Sequence, residues 1–223
     1  MSMPVRILIV LSFMLSLTSC FQVIEEITLK NNGSGDMQIT MNLSQSKSKL
    51  ASLMLLDSVN GYKIPKEKDI QQFMNETVDF LKKSKGITNI KKTVDLKNYI
   101  ASVSFSFKDL SDINGITKKL LEKEKAKAPE NSYAFDKAAG RVKRTYQHSP
   151  EMKQAYNKLK QKDKEVFKNA GFTSIFRFEN AIASSSNKAA KISASGKAIM
   201  LKTTATDLIF GVVNISNNIQ LAR

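Results

Sequence analysis

A single cysteine, Cys20, among 223 residues excludes any intrachain disulfide, so this chain must hold its fold by its core alone. A chain of this size can bury enough surface to do so. Tryptophan is absent and histidine occurs once, at His148. One imidazole cannot build a zinc centre, which takes three or four protein ligands, so neither a metal nor another cofactor is expected. Four prolines and nine glycines are too few and too scattered for a linker that would divide the chain. No G-x-S-x-G elbow, Walker loop or HExxH segment occurs in the sequence. Of the common catalytic chemistries, that leaves paired carboxylates, whose members need not be close in sequence.

The first twenty residues have the order of an export signal. Arg6 supplies the positive charge, and Ile7 to Leu15 form an apolar run broken only by Ser12. That run is too short to span a bilayer, which takes about 20 residues, and matches the hydrophobic region of a signal peptide. Leu17, Thr18, Ser19 and Cys20 then resemble the bacterial lipobox read by the lipoprotein signal peptidase. The resemblance implies removal of residues 1–19, a diacylglycerol on the Cys20 sulfur and, often, a further acyl chain such as palmitate on the new amino group. Two or three acyl chains anchor a protein stably, where one alone binds only marginally. The competing readings are an ordinary cleaved signal with an incidental cysteine, and a buried N-terminal helix.

Export changes the meaning of the charge. Of the 35 basic residues only Arg6 lies in the signal, so 34 remain against 20 acidic ones, a formal +14 over 204 residues. A cytosolic protein this basic would suggest nucleic acid. An exported one suggests anionic lipid head groups or acidic polysaccharide, or simply a solvated lysine-rich surface, and no nucleic acid partner is expected. The expected location is the cell envelope, lipid-anchored on the periplasmic side of the outer membrane. No Ser-, Gly- or Asp-rich tether follows Cys20. Alternation starts at once, with Phe21, Val23, Ile27 and Leu29 opposite Gln22, Glu26, Thr28 and Lys30. A domain resting close to the membrane follows from that short tether.

Beyond the first strand the chain reads as hairpins with helices between them. Met37, Ile39, Met41 and Leu43 alternate with polar residues after the NNGSG turn, where Gly33 and Gly35 permit positive φ. A short helical stretch surrounds Leu50, Leu53 and Met54, and an amphipathic helix runs from Lys66 to Lys85 with Ile70, Phe73, Met74, Val78 and Leu81 on its apolar face. A strand follows with Tyr99, Ala101, Val103, Phe105 and Phe107 facing the core. A second amphipathic helix is expected from Ser111 to about Ala126, burying Ile113, Ile116, Leu120 and Leu121. Short strands at 133–136 and 141–147 precede a third helix, capped by Ser149, opened by Pro150 and ended by Gly171. Its expected buried face is Met152, Tyr156, Leu159, Val166 and Phe167. Residues 172–223 read as strands, the last near Val212 to Leu221. The fold class is therefore α+β, a largely antiparallel sheet of hairpins with three or four amphipathic helices on one face. Residues 20–223 form one domain, with 172–223 as an alternative β subdomain.

Few side chains present themselves as a site. Arg141 and Lys143 share a strand face and, with Arg144, offer cations to a phosphate or uronate; the bland reading is a solvated face. His148 in YQHSP reads as a loop residue. Glu25 falls on the apolar face of its strand, which calls for a lysine partner or an edge position near the membrane. Phe172, Ile175, Phe176 and Phe178 form the densest aromatic patch and read as core, with a lipid or glycan surface as the minor alternative.

The layout of VIEEITL, the NNGSG turn, a second alternating strand and the late Phe178, Asn187 and Gly196 is similar to that of LppM-type envelope lipoproteins. It departs from them in lacking a C-terminal membrane segment. The resemblance implies an envelope role with lipid contact and assigns no residue. The functional expectation is a non-catalytic binding or scaffolding lipoprotein held at the membrane. The alternative is an envelope hydrolase, which for glycosides needs two carboxylates roughly 5 to 9.5 Å apart.

Overall fold

A computed structural model describes residues 21–59, 62–116, 118–119, 130–164 and 167–222. The lipobox, Leu120, Leu121 and Val166 lie outside the described residues. The chain begins with β1 (Gln22–Leu29) and β2 (Gly35–Asn42), paired antiparallel from Gln22↔Asn42 to Leu29↔Gly35. Gly33 turns the hairpin at φ +88°. Gly35 is a packing glycine as well: a Cβ there would meet the Thr28 carbonyl oxygen at 2.0 Å and the Phe107 ring at 2.7 Å.

Then come α1 (Lys47–Met54), the small hairpin β3 (Ser58–Val59) and β4 (Tyr62–Lys63), and α2 (Glu67–Lys82). Lys66 caps α2, its backbone N–H donating to Asp69, and Gly86 at φ +76° follows its end. Its buried face is Met74, Thr77 and Leu81; Phe73, expected inside, is turned outward. The Thr77 hydroxyl can be buried because it donates to the Phe73 carbonyl at 2.9 Å.

Strands β5 (Ile87–Asp95) and β6 (Ile100–Phe107) form the second hairpin. Next is a 3₁₀ turn over Leu110–Ile113, capped by Asp109 and burying Ile113, at the start of the second expected helix; the chain is helical at Ile116, Lys118 and Lys119, and the remainder of that expected helix, within residues 120–129, lies outside the described residues. After it come β7 (Glu130–Asp136) and β8 (Arg141–Gln147), then α3 (Pro150–Lys158) and α4 (Gln161–Lys164). The expected third helix is thus broken at Leu159, which is extended, and Met152, Tyr156 and Leu159 are only half-buried.

The C-terminal part comprises β9 (Gly171–Phe178), β10 (Ile182–Ser185), β11 (Lys191–Ile192), β12 (Ala198–Thr204), α5 (Ala205–Phe210) and β13 (Asn217–Leu221). Helix α5, capped by the Thr204 side chain and ended by Gly211 at φ +70°, lies in a part of the chain expected to be nearly free of helix.

The class is α+β, as expected, but the strands divide between two sheets. The larger has the order β11-β12-β9-β1-β2-β6-β5 and the smaller β10-β13-β8-β7. All pairs are antiparallel except β1 with β9, which run parallel from Gln22↔Gly171 to Leu29↔Phe178. Residues 171–221 contribute to both sheets. One face of the large sheet is covered, by the small sheet and by α2. Ile27, Phe105, Phe176 and Ile199 from the large sheet, Tyr133, Val142 and Ile219 from the small one, and Met74 and Leu81 from α2 form one core. The opposite face carries Thr28, Gln38, Ser104 and Ser106, as the serine alternation of β6 requires.

Candidate functional site

The described residues start at Phe21, and strand β1 starts one residue later. The Gly171 N–H donates to the Phe21 carbonyl at 2.8 Å, and Gln22 is already paired with Asn42 on one side and Gly171 on the other. The Phe21 ring stands edge-on to Phe167 at 5.9 Å, Phe167 to Tyr156 at 5.5 Å, and Tyr156 to Phe210 at 5.3 Å. These T-shaped contacts tie Phe21 to the α3, α4 and α5 region. Lys153 Nζ lies 5.7 Å from the centre of the Phe210 ring and Lys164 Nζ 5.6 Å from that of Tyr156.

The three basic residues of β8 do not sit together. Arg141 and Lys143 point outward from the small sheet, and Arg141 donates from Nε to Gln220. Arg141 begins β8 beside the β7–β8 turn, where Lys137 packs on Gly33 and pairs with Asp109 at 3.2 Å, so it is at the end of the large sheet opposite to Phe21, and Lys143 follows two residues along the strand. Arg144 points inward and is 3% exposed.

Its partner is Glu25, which is neither beside a lysine nor on an edge strand. Arg144 Nη1 lies 2.9 Å from Glu25 Oε1 and Nη2 3.3 Å from Oε2. The Ser174 hydroxyl donates to Oε1 at 3.0 Å and the Tyr133 hydroxyl to Oε2 at 2.9 Å. Arg144 also donates to Ser174 Oγ and Asn131 Oδ1, and Asn131 donates to the Tyr133 oxygen. Burial is the largest influence and works against the Arg144 charge, but Glu25, by its charge and its hydrogen bond, together with Tyr133 and Tyr146 outweighs it and holds the guanidinium pKa above its ordinary value. Burial, reinforced by Glu25, pushes the Tyr133 phenol well above its ordinary value, so it stays a donor. Every member is satisfied, which makes this a clamp between the two sheets. The signal was present in sequence: Arg144 shares the parity of Val142 and Tyr146, as Glu25 shares that of Ile27 and Leu29.

His148 follows β8, and its Nε2–H donates to the Ile209 carbonyl near the end of α5 at 2.5 Å, with the ring packed on Gly211. Phe176 and Phe178 are buried and stacked 6.1 Å apart, in agreement with a core reading.

Two concavities exist near the sheet centre. One of about 240 Å³ has Met37, Ile39 and Ile116 as its apolar walls and Asn131, Glu130 and Lys118 at its rim. The other is a shallow polar groove on the open face holding Glu26, Asp36, Lys91 and Arg177. Its two carboxylates are engaged: Glu26 pairs with Arg177 at 3.1 Å and Asp36 accepts from the Ser106 hydroxyl at 2.6 Å. Among the described residues no group of three or more His, Cys, Asp or Glu could hold a metal, and no helix is long and apolar enough to cross a membrane.

These features define a two-sheet α+β protein whose interior is locked by one buried ion pair. No family model matches the chain, and no curated protein matches its sequence. Among solved structures it is similar to the folded domain of LppM from Mycobacterium tuberculosis, determined by NMR, with a TM-score of 0.42 and 13% identity over 90% of this chain and 88% of that one.

Proposed function

We propose that this protein is a lipid-anchored, non-catalytic binding or scaffolding protein of the cell envelope, held directly against the membrane through Cys20 on the periplasmic side of the outer membrane. The observation that carries this reading is the missing tether. With Phe21 hydrogen-bonded and packed and β1 starting at Gln22, an acylated Cys20 has no slack, and the domain sits at the bilayer surface. The formal +14 of the mature chain suits an anionic surface. Arg141 and Lys143, on the outer face of the small sheet, are the cations offered to acidic polysaccharide. Both groove carboxylates are spent on partners, so nothing favours the hydrolase.

The test is intact mass and membrane fractionation of the native protein beside Cys20→Ala. A mature mass bearing acyl chains, with the substituted protein released from membranes, is the expected outcome. An unmodified, soluble native protein overturns the anchor and the placement together.

A further inference from the structure

We infer that the end of the large sheet from which Phe21 leads to Cys20 is a bilayer-docking surface, in which Val212 and Leu55 enter the lipid interface on opposite sides of β1. The inference rests on the reading of Cys20 as an anchor and specifies the face that the anchor presses down.

Strand β1 is fourth of seven, so its first residue emerges in the middle of that end. On one flank, β12 ends at Thr204 opposite Gly171, and α5 follows directly. The last residue of α5 is Phe210 and, past the Gly211 cap, stands Val212, which is 72% exposed. On the other flank, β2 ends at Asn42 opposite Gln22 and the chain enters α1. Lys47 at the start of α1 donates to Asn98 in the β5–β6 turn, which is at this same end. Past α1 come Leu55, 84% exposed, and Leu56. They stay at this end because Lys66, which caps α2, donates from Nζ to the Met54 and Leu56 carbonyls at 3.2 and 2.7 Å, while α2 runs from there toward β5, whose first residue Ile87 lies at the far end beside Phe107. Met41, half-exposed, lies between the flanks on β2.

Leu55 and Val212 are the two most exposed of the large apolar side chains among the described residues, an exposure that carries a cost in water, and both stand at the end from which Phe21 leads to Cys20. The surroundings have the matching charge: Lys153 and Lys164 stand over Phe210 and Tyr156, and Lys158 and Lys160 are exposed next to them. Apolar tips within a ring of lysines are the composition of an interfacial membrane contact, which combines burial below the head groups with attraction to anionic lipid. A lipid surface is therefore the occupant, brought there by the chain's own anchor.

Because the chain has no tryptophan, single reporters can be introduced. Full-length protein carrying Val212→Trp, Leu55→Trp or Lys143→Trp is purified with its native anchor. Each is reconstituted into vesicles of phosphatidylethanolamine and phosphatidylglycerol brominated in the acyl chains. The first two reporters are expected to shift to the blue and be quenched about twofold or more, and the third, on the outer face of the small sheet, to stay as in water. Equal exposure of all three, on protein whose mass shows an acylated Cys20, overturns the docking face and leaves the anchor standing. Blue-shifted emission before vesicles are added, rising with protein concentration, overturns it in favour of a second copy. If Cys20 carries no acyl chain the anchor reading fails, and quenching on added vesicles still decides the docking face by the same pattern.

Discussion

At the scale of single residues, the pair Glu25–Arg144 dominates. A buried ion pair is no guarantee of stability, since desolvation of both charges offsets their attraction, but removing one partner strands the other. Arg144→Met is expected to cost about 3–5 kcal/mol, read as a lower urea midpoint, whereas Glu25→Leu with Arg144→Met recovers at least half of that. Equal losses in the single and double variants would remove the clamp. Tyr133 gives a pH dependence. Below about pH 10 both folded and unfolded chains hold the phenol proton; above it the unfolded chain loses the proton and the buried Tyr133 keeps it. The folded state then binds more protons, so stability falls as pH rises, by about 1.4 kcal/mol per pH unit for one such group. Tyr146, also raised by burial, adds in the same direction. Urea unfolding between pH 8 and 11.5 is expected to show this decline, and Tyr133→Phe to flatten it; an unchanged slope would assign it elsewhere.

At the scale of elements, termini and turns hold the pieces in place. The Ser149 hydroxyl accepts from the Met152 N–H at 3.3 Å, and Pro150 fills the first turn of α3, where its missing N–H costs nothing. Ser149→Ala is expected to lower stability by about 1 kcal/mol in thermal unfolding, with Ser149→Asn near neutral. Gly35 is the stricter position, because β2 crosses the Thr28 carbonyl and the Phe107 ring too closely for any Cβ. Gly35→Ala is expected to cost about 3 kcal/mol, as overpacking does, and to disturb the β1–β2 register seen by NMR amide shifts. Helices and hairpins were largely legible in the sequence because their signals are local: the period of two in ITMN and SVSFSF, the 3.6-residue period of α2, Ser-Pro before α3. Helix α5 was missed because it has six residues, too few to show a period. Leu159 was misread because its extended backbone interrupts an otherwise helical pattern.

At the scale of the whole molecule, β1 joins the two halves of the chain. It pairs with β2 beside it in sequence and with β9 about as far away as Glu25 is from Ser174, a separation of 149 residues. The two sheets share one core, so unfolding is expected to be one cooperative transition, with far-ultraviolet circular dichroism and tyrosine fluorescence giving coincident curves. Two resolved transitions would mean that the C-terminal strands fold as a unit of their own. Amides of β1 should be the slowest to exchange, since both edges of that strand are paired.

By itself the sequence determined the α+β class, the inward and outward residues of most strands, and the span of α2. Each of these is written in a run of neighbouring residues, through alternation or capping. Only the tertiary structure decided that the strands form two sheets, that β9 lies parallel to β1, that Glu25 meets Arg144, and that Leu55 and Val212 flank Phe21. The reason is physical: a strand's pattern specifies which face is buried and leaves open which strand lies beside it. That choice is made by packing between segments far apart in the chain, where burial of Ile27, Phe176 and Val142 in one core outweighs any local preference.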